Sequence, residues 1–135
     1  MVLVHIYIDG GCRHPGTPEA RGYYSIKAID RWGTFHHEEK IFIQCDLPQT
    51  NNVAEYYALL QGLSWIEGRA NKAHRHYIIH TDSQLVFGQL VLSWKVKSDN
   101  LKHLHYECCQ LLDEMEVSVK IAWESRENVE AVLGH

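Results

Sequence analysis

The hydrophobic pattern of this chain changes its period after three strand-like segments, and this first change constrains the fold more than any other feature. Residues 2–8, 22–29 and 34–44 are rich in β-branched and aromatic side chains, which is typical of strands. From 52 to about 67 the apolar residues instead recur at helical spacing. Three consecutive strands followed by a helix predict a meander that continues into an α/β arrangement.

The second half of the chain alternates between the two patterns. Strands are predicted over 77–81 and 117–123, and helices over 82–93, 100–115 and from 126 to the end. The order β-β-β-α-β-α-α-β-α predicts a five-stranded mixed sheet with helices packed on it.

Length and composition favour one domain over residues 1–135. The 45% hydrophobic content is sufficient for a buried core. No apolar run approaches the roughly 18 residues of a membrane span, and the first residues lack the pattern of a signal peptide. The four cysteines form no CxxC pair, which favours a reducing compartment. We therefore expect a cytoplasmic monomer with no membrane partner.

The formal net charge of −4 argues against a strongly basic protein that binds nucleic acid mainly by counterion release. It does not exclude a small acidic site. Bound metal ions would supply the positive charge that faces phosphate there.

Three acidic residues stand where a strand or helix begins or ends, and each has an ordinary structural explanation. Asp9 precedes Gly10 in a typical turn sequence. Glu55 follows Asn52 at the spacing of a capping box, and Asp82 stands where an aspartate commonly caps a helix.

Together, however, Asp9, Glu55 and Asp82 are expected to meet at one edge of the sheet. Clustered carboxylates repel one another, so such a cluster implies bound cations or raised pKa values. Hard oxygen ligands favour Mg²⁺ or Mn²⁺, and divalent ions held in this way are one solution for phosphodiester hydrolysis.

Three segments carry a resemblance to a known family. IYIDGGCRHPG (6–16), TNNVAEYYALLQGL (50–63) and TDSQLVFGQLVLSWKVK (81–97), in this order and spacing, resemble the signature regions of type 1 ribonuclease H. The likeness continues to ESRENVEAV near the end of the chain and therefore covers nearly all of it. The chain resembles a short form of the family, without a hybrid-binding domain or a basic protrusion.

The resemblance implies an endonuclease that hydrolyses the RNA strand of RNA·DNA hybrids and leaves a 5′-phosphate and a 3′-hydroxyl. Double-stranded RNA is a second candidate substrate. Asp9, Glu55 and Asp82 would be the catalytic residues and the ligands of Mg²⁺ or Mn²⁺. The residues implied in substrate binding, mostly at the minor groove where the 2′-hydroxyls are accessible, are Gly10, Cys12, Asn51, Asn52 and Gln84.

The chain departs from the family at the fourth carboxylate, an aspartate in an N-x-x-A-D pattern on the last helix. The matching segment begins at Asn128 and has Val132 in that place. Glu130 is expected to point to a different helix face, whereas His135 could share the face of Val132 and stand in for the missing ligand.

Three alternatives follow from Val132. The protein is an enzyme that holds one metal weakly, an enzyme that recruits His135 or another group, or a weakly active or non-catalytic homologue that binds hybrid or double-stranded RNA. The last alternative is also favoured by the loop after the fifth strand, which lacks the histidine that some members use.

Overall fold

The computed structural model describes residues 2–69 and 75–134, and it confirms the predicted order of elements. The strands are β1 (Val2–Arg13), β2 (Arg21–Asp30), β3 (Phe35–Phe42), β4 (Arg75–Thr81) and β5 (Ser118–Trp123). The helices are α1 (Asn51–Glu67), α2 (Gln84–Val91), α3 (Asp99–Glu114) and α4 (Arg126–Leu133). Within these two ranges, none of the helices has the length and apolar character needed to cross a bilayer.

The five strands form one mixed sheet, as the sequence predicts, and their order in the sheet is β3-β2-β1-β4-β5. β1 pairs antiparallel with β2 and parallel with β4, so it lies at the centre. Its alternate residues Val4, Ile6 and Ile8 are fully buried and share one core with Leu59 and Leu63 of α1. The apolar face of α1 therefore covers the middle of the sheet.

The predicted turn at Asp9 is wrong, because β1 continues through Gly10 and Gly11 to Arg13. Antiparallel pairing with β2 holds this extension, with Asp9 opposite Ser25. The predicted second helix is also too long, since α2 begins at 84 and ends at 91.

Gly10 explains why a glycine stands inside a central strand. A Cβ at this position would overlap the carbonyl oxygen of Ala54 and crowd the amide nitrogen of Glu55 in α1. Only glycine lets the strand and helix backbones approach this closely. The contact joins the strand that carries Asp9 to the helix turn that carries Glu55.

We predict that Gly10→Ala destabilises the fold by about 1–3 kcal/mol, the usual cost of forcing extra volume into a packed core. Gly62→Ala is the matched control, because a Cβ there would meet Ile8 Cγ2 at an ordinary 3.5 Å. Since alanine also favours a helix interior, this control should be neutral or stabilising. Urea unfolding of both variants tests the prediction, and equal midpoints would contradict it.

Candidate metal centre and nucleic-acid site

Three carboxylates converge at one edge of the sheet, as the sequence predicts. Asp9 lies on β1, Glu55 near the start of α1, and Asp82 directly after β4. Each offers an oxygen, and these atoms all lie within 4.8 Å of one another. The convergence follows from topology, because β1 and β4 run parallel with Ile8 opposite Thr81, so Asp9 and Asp82 follow at the same level beside the start of α1.

Hydroxyl groups, and not these carboxylates, cap the neighbouring helices. Thr50 Oγ1 accepts from the amide of Val53 at 3.1 Å and caps α1. Ser83 Oγ accepts from the amide of Val86 at 3.1 Å and caps α2. The ordinary explanations of Glu55 and Asp82 as helix caps are therefore wrong. Both carboxylates are left available for another role.

The electrostatics of the cluster are unfavourable without cations. Burial, together with the charges of Asp9 and Asp82, raises the pKa of Glu55 to about 9, although the Gly10 amide donates to this carboxylate and opposes the shift. Glu55 Oε2 is buried and has no hydrogen-bond partner among the described residues. Burial also raises the pKa of Asp82, against the lowering effect of Arg126.

The carboxylates line a polar cavity of about 470 Å³. The predicted substrate-binding residues Gly10, Asn51 and Asn52 lie on its wall. Asn51 Oδ1 accepts from the backbone amide of Cys12 at 2.9 Å, so Cys12 contributes its main chain to the arrangement of the wall. Gln84 instead lines a neighbouring cavity with Phe87, Leu92, Trp94 and Trp123.

Helix α4 contributes two residues to this cavity that the sequence analysis did not assign to it. Arg126 and Glu130 both lie on the wall, and Arg126 Nε is 3.6 Å from Asp82 Oδ2. Their spacing of four residues, which places two side chains on one helix face, was the available signal. Gly11, Tyr23 and Ser83 complete the wall.

Glu130, and not Val132, is the acidic position of this helix that lines the cavity. The charge of Glu130 contributes to the raised pKa of Asp82. Val132 is absent from the residues that line the cavity, and its carbonyl oxygen accepts from Lys27 Nζ at 3.3 Å. Glu130 thus lies on a different helix face from Val132, as expected. The face that carries Glu130, however, is the one that lines the cavity. His135 lies outside the described residues.

The donor set suits a hard divalent cation. Its ligand atoms are carboxylate oxygens, the kind that Mg²⁺ and Mn²⁺ prefer. The buried Glu55 Oε2 without a partner is also accounted for by a cation, because an uncompensated polar atom at this depth is otherwise costly.

A family model and several solved structures are similar to this chain. Residues 40–132 match the family model described as reverse transcriptase-like. A comparison with curated protein sequences gives no match. Solved structures of ribonuclease H proteins superpose over nearly the whole chain.

Three of these structures are similar to the chain at 26–29% identity. A ribonuclease H1 isolated from compost by a metagenomic approach is 28% identical, with a TM-score of 0.84 and coverage of 99% of this chain and 91% of its own. The N-terminal RNase H domain of a Mycobacterium tuberculosis protein is 29% identical, with a TM-score of 0.76 and coverage of 97% and 88%. Ribonuclease H1 from Halobacterium salinarum is 26% identical, with a TM-score of 0.78 and coverage of 97% and 93%. The compost enzyme has also been solved in complex with an RNA/DNA hybrid.

We predict that Glu55→Gln stabilises the metal-free protein at pH 6 by roughly 1–3 kcal/mol, because the amide is neutral in both states, whereas the buried Glu55 carboxyl must take up a proton on folding. The pKa of Glu55 is raised from 4.5 to about 9, so between these values the folded state binds more protons than the unfolded state. The free energy of unfolding of the parent should therefore fall as the pH rises through this range.

Urea unfolding in chelator at pH 6 and pH 8.5 measures this dependence. The exposed Glu116 provides the control variant Glu116→Gln, which should follow the parent at both pH values. A parent whose stability rises with pH, or a Glu55→Gln variant that is less stable than the parent, would contradict the prediction.

Proposed function

The chain belongs to the type 1 ribonuclease H family, and from this membership we propose that it is a nuclease that hydrolyses the RNA strand of RNA·DNA hybrids. The observation that carries the proposal is the convergence of Asp9, Glu55 and Asp82 beside Asn51 and Asn52. The relative from compost that binds a hybrid supports the substrate class.

In this proposal Asp9, Glu55 and Asp82 hold Mg²⁺ or Mn²⁺. When bound, such a cation supplies activation of water and stabilisation of negative charge on phosphate oxygens. The protein supplies rigid placement, because the Gly10 contact fixes the distance between the β1 and α1 backbones. Deprotonation of Glu55, whose pKa is raised, must accompany cation binding.

The asparagine pair would recognise the hybrid. The Oδ1 atom of Asn51 is occupied by the Cys12 amide, which leaves its NH₂ group to donate. A donor at this place on the cavity wall suits a ribose 2′-hydroxyl or a base-edge acceptor in the minor groove. Gly10 and Asn52 would complete this contact surface. Gln84 lies at the start of α2, in a cavity with the exposed Trp94. It would contact the duplex outside the carboxylate cavity.

Glu130 provides the fourth carboxylate in this proposal. It lies on the cavity wall, near enough to Asp82 to influence its pKa. It makes no ion pair with any residue in the described part of the chain. Glutamate is also longer than the aspartate of the family by one methylene group. These features favour Glu130 over position 132, which does not line the cavity, as the source of a ligand.

A non-catalytic module that binds hybrid or double-stranded RNA is the second candidate function. One observation favours it: the Arg126 guanidinium, 3.6 Å from Asp82 Oδ2, partly neutralises the site as a metal ion would. The Arg126 side chain is 79% exposed, however, so it can be displaced by a cation at little cost.

We predict cleavage of a labelled RNA·DNA hybrid in millimolar Mn²⁺ or Mg²⁺, and a loss of more than about 100-fold in rate for Asp9→Asn. This loss exceeds what removal of a supporting group beside a metal usually causes. Gel analysis of the labelled strand gives the rate and the product ends. A double-stranded RNA of the same sequence, assayed in parallel, shows whether a second substrate is used.

Two results would contradict parts of this proposal. Well-folded parent that binds hybrid but never cleaves it in millimolar Mn²⁺ would reject the nuclease and support the binding module. Cleavage that persists unchanged in Asp9→Asn would reject the assigned site.

We also predict that Glu130→Gln weakens Mn²⁺ binding by about 10–100-fold, the range seen when a group that supports a metal site is removed. Isothermal titration calorimetry and the Mn²⁺-dependent rise in melting temperature measure this effect independently of activity. Glu127→Gln is the matched control, because Glu127 is an exposed acid on the same helix. Tighter binding by Val132→Asp, together with unchanged binding by Glu130→Gln, would assign the fourth position to residue 132 instead.

A further inference from the structure

The end of β1, the start of β2 and the end of β3 together form an exposed and strongly cationic region of the sheet. We call it the arginine face, and it consists of Arg13, Tyr23 and Phe42 with the flanking Arg21 and Lys40. Tyr24, the next residue on β2, packs on Tyr57 of α1 with ring centroids 5.7 Å apart. Because side chains alternate along a strand, Tyr23 faces away from α1.

Pairing between the strands places the members of this face side by side. Arg13 is directly opposite Arg21, and Tyr23 is directly opposite Phe42. The two guanidinium groups lie over the same Phe42 ring, at 5.3 Å and 3.8 Å from its centroid. Stacking of this kind holds flat cationic groups in a fixed position.

The charge on this face is not compensated within the described residues. Like charges directly opposite one another destabilise a strand pair, yet Arg13 and Arg21 occupy such a pair. In residues 2–69 and 75–134 neither arginine nor Lys40 forms an ion pair with an acid. No acid lines the adjoining cavity of about 320 Å³. In a chain of net charge −4, two opposed arginines without an acidic partner among the described residues indicate a surface that meets an external anion.

The arginine face is continuous with the carboxylate site. Tyr23 lines both the polar cavity that contains Asp9, Glu55 and Asp82 and the cavity beside Arg13 and Phe42. Neighbouring strands are about 4.8 Å apart, so Phe42 on β3 lies within roughly 10 Å of β1. A polynucleotide strand with one phosphate at the carboxylates would therefore pass over Tyr23 onto this face.

We propose that the arginine face binds the sugar–phosphate backbone of the nucleic-acid strand as it leaves the carboxylate site. This inference rests on the proposed function. A phosphate placed between the two guanidinium groups would receive paired hydrogen bonds and would relieve their mutual repulsion. Phosphate contacts of this kind position a strand without reading its sequence.

Hybrid binding by Arg13→Gln and Arg21→Gln tests the inference. Fluorescence anisotropy is measured in an Asp9→Asn background with Mg²⁺, across a range of salt concentrations. Arg31→Gln is the matched control, since Arg31 also stacks on an aromatic ring, at 4.4 Å from the Trp32 centroid, but lies at the far end of β2.

Each arginine variant should lower the salt dependence, the slope of log K against log salt, by about 0.9, which corresponds to roughly five- to ten-fold weaker binding at 0.1 M salt. The control should bind as the parent does. The hybrid can also be shortened stepwise from either end. The difference in affinity between Arg21→Gln and the parent should disappear when the hybrid is shortened from one end, and it should persist when the hybrid is shortened from the other. The melting temperature of Arg21→Gln should be unchanged or higher, because the variant removes a like-charge pair.

The possible failures can be told apart. If the Asp9→Asn parent binds hybrid and both arginine variants behave as Arg31→Gln does, the arginine face is rejected while the proposed function stands. If neither this parent nor the protein with Asp9 intact binds hybrid, the proposed function fails and this inference fails with it.

Discussion

The direct contact between the backbones of β1 and α1 at Gly10 is the constraint on which the rest of the site depends. A side chain here would separate the strand from the helix, and Asp9 and Glu55 would move apart with them. The parallel pairing of β1 with β4 then brings Asp82 to the same edge. The three carboxylates are thus positioned by main-chain geometry, which is stiffer than any arrangement of long side chains.

Different residues cap the helices and line the cavity with carboxyl groups. Thr50 and Ser83 satisfy the first amides of α1 and α2, so Glu55 and Asp82 need not do so. Burial and the acidic neighbours of Glu55 make its ionised form unfavourable, and they raise its pKa. In the proposed metal site, bound cations would offset this cost and would stabilise the fold.

The order of the elements and the three converging acids could be predicted from the sequence, because period and motif spacing are local signals. Local signals failed at Asp9, where a typical turn sequence lies inside a strand that β2 extends by pairing. They also failed for α4, since the face that Glu130 presents depends on how the helix docks on the sheet. The opposition of Arg13 to Arg21 follows from strand register, which neither residue reveals alone.

The parallel pairing of β1 with β4 also has a consequence for synthesis. Asp9 is made early and Asp82 much later, and they become neighbours only when β4 has emerged and crossed over to β1. Such long-range pairings form slowly, because the intervening chain must first be ordered. A nascent or half-folded chain therefore cannot assemble the three-carboxylate cluster. In the proposed nuclease, no nucleic acid would be cut before this pairing has formed.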